Sequence, residues 1–262
     1  MTIRIAHLYP DLLNLYGDRG NVMTLMARCR WRGIDCVLER VSIGAAWDPA
    51  DTDIVFFGGG SDREQGILTR DLSGRAPALR SALADGLVLL AVCGGLQMLG
   101  SHYRTPAGEE YPGLSLLDLY TEAGDKRLIG NVRADLTPET AAAAARACPG
   151  GERLTTLVGF ENHGGRTWLG PDLPPLARTR PGEGGGNNGR DGGEGVRWRN
   201  VFGTYLHGPL LPKNPHIADL LLSLALTRQG KPAELAPLDD AEEIIAHKAR
   251  LGSDKRFYII TA

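Results

Sequence analysis

The first third of the chain alternates two hydrophobic periods. Residues 3–9, IRIAHLY, form an apolar run of strand length. Residues 21–33 follow with Val22, Leu25, Met26 and Cys29 at helical spacing and Gly33 as a stop, the pattern of an amphipathic helix. Residues 36–41 and 53–60 read as two further strands, and 77–86 as a helix with Leu79, Ala82 and Leu83 on one face. Residues 87–92, LVLLAV, are apolar without interruption, as expected of a strand covered on both faces. Strand–helix alternation predicts an α/β fold with a mostly parallel or mixed central sheet flanked by helices.

Later segments are richer in strands: 127–136, 153–163 and 197–207. A helix is expected over 214–230, with Asn214 as its cap and Gly230 as its stop. The alanine-rich stretch 141–150 predicts a short surface helix ending at Pro149. Residues 181–195, PGEGGGNNGRDGGEG, are more than half glycine and predict a mobile hairpin loop without capacity to pack. The whole, 1–262, is expected to form a single domain.

Composition narrows the classes. Net charge is −2, which favours neither nucleic acid nor an anionic membrane surface. No apolar run approaches the roughly 18 residues of a membrane span, and MTIRIAHLYP lacks the layout of a signal peptide. The four cysteines form no CxxC pair and no metal-ligand spacing. A reduced, cytoplasmic protein is expected.

The candidate chemistry starts at VLLAVCGGLQMLG, residues 88–100. Strand, Cys93, two glycines, helix is the layout of a nucleophile elbow. The thiol then stands at a helix N-terminus, where the macrodipole favours a thiolate, and the Gly94 N–H is placed to donate to an oxyanion. An inert core cysteine would need no glycines after it. FFGGGSDREQ, residues 56–65, ends another strand in three glycines. It lacks the third glycine of a dinucleotide loop and the GK[ST] of a nucleotide loop, so a second oxyanion donor is the better reading. A base is also needed. His207 in GTYLHGP and His163 in FENHGG both end strands and precede glycines, so both are candidates for the crevice beside the cysteine.

LNLYGDRGN (13–21), FFGGGSDREQ, VCGGLQMLG (92–100), KRLIGN (126–131), VGFENHGGRT (158–167) and VFGTYLHGPLLPKN (201–214) together span nearly the whole chain. In combination they resemble the class I, triad-type glutamine amidotransferases of the cobyric acid synthase-like branch, whose fold is flavodoxin-like. Within it they resemble the GatD-type glutaminase subunits of lipid II isoglutaminyl synthases. The resemblance implies Cys93 as nucleophile, His207 as base and Arg127 as the contact to substrate glutamine. It puts the second oxyanion donor at Gly59 or Gly60 and makes 161–165 a wall of the glutamine pocket. It implies no cofactor in this chain. It implies a partner, a MurT-type, Mur-ligase-like ATP-dependent subunit, in a heterodimer that amidates the D-glutamate of lipid II. Rival readings are the glutaminase half of a cobyrinic or cobyric acid amidating enzyme, another cysteine hydrolase on a similar fold, and a non-catalytic binding subunit. Triad-type members usually carry an acid two residues after the histidine, and here that residue is Pro209. The missing acid is expected from Glu161 or, preferably, from a carboxylate inserted by the partner.

Overall fold

A computed structural model describes residues 1–251. The chain opens with β1 (Thr2–Leu8), α1 (Arg19–Trp31), β2 (Asp35–Val41), β3 (Ile54–Phe57), α2 (Asp62–Ala84), β4 (Val88–Val92) and the short α3 (Gly94–Met98). The middle holds β5 (His102–Arg104), β6 (Glu110–Pro112), β7 (Leu119–Leu136), α4 (Pro138–Ala147), β8 (Thr156–Leu169), β9 (Ala177–Thr179) and β10 (Gly193–Glu194). The last part adds β11 (Val196–Trp198), β12 (Val201–Thr204), β13 (Leu206–His207), α5 (Pro215–Arg228) and α6 (Ala241–Leu251).

Two sheets result. The first runs β11-β12-β4-β3-β1-β2, parallel throughout except for the β11–β12 hairpin. β3 and β4 are buried at every position, because helices cover both faces. The second sheet is built on the antiparallel pair β7–β8, with a bulge between Ala123 and Leu128. The chain changes sheets at Tyr205: β12 pairs β4 in the first, and β13 pairs β8 in the second. His207 therefore stands at the seam.

Several elements differ from the pattern-based expectation. The helix expected over 77–86 is the end of α2, which begins at Asp62 behind a Ser61–Glu64 capping box and contains Pro77. Gly66, Gly74 and Pro77 hide its first turns from a propensity reading. The alanine-rich helix ends at Ala147 and buries Thr140, Ala144 and Ala147, so one of its faces belongs to the interior. Asn214 makes no side-chain cap. It instead accepts from Val158 N (3.0 Å) and donates to Val158 O and Leu210 O (2.8 Å each), fastening α5 to β8.

The expectation that 181–195 cannot pack is also corrected. Gly185 and Gly186 N–H donate to the buried Glu161 carboxylate at 2.7 and 3.1 Å. Asn187 and Asn188 are buried, and Gly193–Glu194 pairs with β9. Glu194 is wholly buried and accepts from the Thr204 hydroxyl (2.6 Å) and Tyr205 N (3.0 Å). Burial drives its pKa up to about 7, against those two bonds. Glycines supply bare N–H groups at close approach, which a carboxylate can use as well as any side chain.

One buried ionic cluster joins the helices of the first sheet. Arg28 of α1 is fully buried and pairs with Asp219 (2.7 Å) and Asp240 (2.6 Å), while Arg32 also reaches Asp219 (2.8 Å). Among the described residues no helix is long and apolar enough to cross a membrane.

Candidate active site

β4 delivers Cys93 at φ 50°, ψ −106°, a backbone state that L-residues adopt only when neighbours impose it. Cys93 N–H donates to Thr204 O of the adjacent strand (2.8 Å). The next two residues are close-packed glycines, and the second has no room for a side chain. A Cβ on Gly95 would lie 2.4 Å from Phe57 O, and one on Gly94 would lie 3.0 Å from Gly60 N. The glycines thus let the start of α3 press against the 58–60 loop, bringing the two predicted oxyanion segments together.

His207 is fully buried, and its Nδ1 lies 3.0 Å from Asp18 Oδ1, also fully buried. Within this chain the acid that meets the imidazole is therefore Asp18 and not the expected Glu161. Glu161 is occupied elsewhere, by Gly185, Gly186 and, at 3.5 Å, His163 Nε2. Asp18 Oδ2 accepts from Gly59 N–H at 2.9 Å. One carboxylate thus holds both the histidine and the glycine loop. A Cβ on Gly59 would lie 2.9 Å from His207 Cε1, 3.1 Å from Asp18 Oδ2 and 3.4 Å from Cys93 Cβ, so the three side chains converge on that glycine. Burial alone would lower the His207 pKa. The Asp18 hydrogen bond and the adjacent Cys93 sulfur override it and hold the ring up at about 10. Among the described residues no hydrogen bond occupies Nε2.

The proline that displaces the usual acid has its own place. A Cβ on Gly20 would sit 2.4 Å from Pro209 Cγ, and Asn21 Oδ1 accepts from Leu211 N (2.9 Å). LNLYGDRGN therefore wraps the His207–Pro209 turn and carries Asp18 to it. A sequence signal existed: an acid between glycines, after a strand whose end opens on the same crevice. It had no assigned role.

Of the two candidate loop donors, Gly59 N–H is committed to Asp18. Among the described residues Gly60 N–H has no such bond. Gly60 and Cys93 open on a cavity of about 700 Å³ that is also lined by Gln65, Gln97, Arg127 and His163. Arg127 stands at its rim, with Nε donating to Asn162 Oδ1 (2.9 Å) and Nη2 to Asn162 O (2.8 Å). The rival His163 shares this cavity, but its Nδ1 is engaged with Gly165 O (2.8 Å) and its ring stacks on Tyr205 at 3.7 Å. Gln97, unassigned from sequence, is fixed between Gln65 Nε2 (2.8 Å) and Tyr205 OH (3.1 Å). A second cavity, about 240 Å³ between α4 and α5, shares no lining residue with the first.

A thiol on the elbow after β4, a buried imidazole at the seam of the two sheets and a carboxylate at the start of α1 describe an amidotransferase-like site. PurLQS from Thermotoga maritima superposes with a TM-score of 0.56 at 16% identity, over 87% of this chain and 100% of that one. The glutaminase domain of Trypanosoma brucei CTPS with bound acivicin gives 0.53 at 14%, over 89% and 97%. At such identities the likeness is one of fold. The CobB/CobQ-like glutamine amidotransferase domain matches residues 4–215, and the chain belongs to that family.

Within the family its full-length similarity is to GatD. The subunit GatD of the glutamine-hydrolysing lipid II isoglutaminyl synthase from Staphylococcus aureus (strain N315) is 40% identical over 254 residues, 97% of either chain. The GatD subunit from Streptococcus pneumoniae (strain ATCC BAA-255 / R6) is 36% identical over 240 residues, 91% of this chain and 86% of that one. By contrast, the cobyric acid synthase of Pelotomaculum thermopropionicum matches at 32% over 60% of this chain and 29% of its own length. This chain is a GatD-type glutamine amidotransferase subunit.

Proposed function

We propose that this chain, acting as a single domain in the cytoplasm, hydrolyses L-glutamine to glutamate and ammonia through a Cys93 thioester. The ammonia passes to a MurT-type, Mur-ligase-like ATP-dependent partner in a heterodimer, which amidates the D-glutamate α-carboxylate of lipid II to D-isoglutamine. The observation that carries the reading is the convergence of Cys93, His207 and Asp18 on Gly59 beside the cavity rimmed by Arg127.

His207, held up by Asp18 at Nδ1, carries at Nε2 the proton taken from Cys93, and Asp18 stabilises this imidazolium. The sulfur attacks the side-chain amide carbon of glutamine while Arg127 grips its α-carboxylate. Gly94 and Gly60 N–H receive the oxyanion, each donor contributing about 3 kcal/mol. The C–N bond breaks as His207 protonates the leaving nitrogen, and ammonia departs. Water, deprotonated by His207, then cleaves the thioester to glutamate and restores the thiol. No cofactor enters these steps.

Cys93→Ala tests the reading, because alanine fits the elbow. Glutamate release is expected to vanish, while ammonium salts with the partner and ATP still support amidation. More than a trace of glutaminase activity would remove Cys93 from the nucleophile's role.

A further inference from the structure

Tyr16 is not used by any step above, yet it is strained. It lies in the left-handed region at φ 53°, ψ 27°, followed by Gly17 at φ 78°. A bulky residue stays there only where its surroundings hold it. Two contacts do so. Its ring meets the His207 ring edge-on, with centroids 4.9 Å apart and planes at 69°. Its hydroxyl accepts from Asn162 Nδ2 at 2.6 Å. Asn162 in turn holds Arg127 through Oδ1 and its backbone carbonyl.

We propose that Tyr16 is a positioning residue that sets the Arg127 fork and the His207 ring together, so that recognition of the substrate carboxylate and orientation of the base depend on one side chain. The inference rests on the reading of Arg127 as the carboxylate grip. An asparagine amide can turn about its last bond, and only one orientation offers oxygen to Arg127 Nε. Arg127, a donor only, turns the amide oxygen toward itself, and the Tyr16 hydroxyl, accepting from the amide nitrogen, holds the amide in that place. The hydroxyl therefore acts on substrate binding. The ring acts on His207, which it restrains from one face while Asp18 holds Nδ1.

The test is steady-state glutamate release by the full chain with its ATP-dependent partner present. Tyr16→Phe is expected to raise KM about 3- to 10-fold, the loss of one hydrogen bond, with kcat unchanged. Tyr16→Ala is expected to lower kcat as well. Asn162→Ala should raise KM by as much as Tyr16→Phe, and Tyr16→Phe in that background should add nothing. A purely structural role would lower melting temperature and active fraction, and so kcat, in both Tyr16 variants alike. An unchanged KM in Tyr16→Phe, or independent effects in the double variant, overturns the inference. Arg127→Ala separates the two levels. If it leaves KM unchanged, the carboxylate reading falls and the inference with it. If it raises KM while Tyr16→Phe does not, only the inference falls.

Discussion

Replacing Asp18 by asparagine perturbs the site at its one shared support. Aspartate offers two acceptor oxygens, and both are used: Oδ1 by His207 Nδ1 at 3.0 Å and Oδ2 by Gly59 N–H at 2.9 Å. Asparagine offers one acceptor oxygen and an NH₂. The backbone N–H of Gly59 cannot turn away, so the oxygen goes to Gly59 and the NH₂ faces His207. Nδ1 must then be the lone-pair nitrogen, with the proton on Nε2, and the ring can no longer accept from Cys93. In a serine-protease triad this tautomer error costs about 10⁴ in kcat, or about 5.5 kcal/mol at 1.36 kcal/mol per decade. A loss of about 10³- to 10⁴-fold is expected here, with KM nearly unchanged because Asp18 does not line the substrate cavity. The assay is glutamate release with and without the partner, beside thermal melts showing that Asp18→Asn folds. Retention of more than about a tenth of kcat would refute the assignment and return the acid to the partner. Asp18→Ala is the poorer probe, since it also strands a buried N–H.

Three further perturbations follow from the packing. Glu194→Gln removes a buried acid whose pKa is raised from 4.5 to about 7; its stabilising neutral form is fully favoured below pH 4.5 and lost as pH rises through 7. The variant should therefore gain on the native protein across that window, by at most about 3 kcal/mol at 1.36 kcal/mol per pH unit, and parallel urea titrations at pH 5 and 8 would refute this. Asp219→Ala leaves the buried Arg28 with Asp240 alone and should cost about 3–5 kcal/mol, with a denaturant midpoint shift worth under 1 kcal/mol as the contrary result. Gly95→Ala drives a Cβ to within 2.4 Å of Phe57 O and should destabilise by about 1–3 kcal/mol while displacing the 58–60 loop, so unaltered stability and kcat would contradict the contact.

The readable parts of the sequence were those set by local pattern. β3 and β4 announce themselves as uninterrupted apolar runs because both faces are buried. The elbow was legible because Cys93 needs glycines beside it whatever the rest of the chain does. β7 and β8 were read short, since glycines and half-exposed positions run through both. Asp18 was illegible for a different reason. It lies 189 residues from His207, and the glycines on either side that mark it locally do not say which partner it meets. That the Gly59 N–H is already engaged likewise waited on knowing where that carboxylate points.

The glycine-rich segment has a practical bearing for anyone modifying this protein. By composition, 181–195 is where a tag, a linker or a circular permutation would first be tried. Cutting there would strip Glu161 of its two N–H donors and leave an ionisable group facing His163 in a dry interior. Shortening the segment near its end would expose the ledge that Glu194 makes beneath Thr204 and Tyr205, two residues before the histidine. A stretch that looks like slack rope braces Glu161, Thr204 and Tyr205 from behind, and its tolerance to insertion should be that of a core strand.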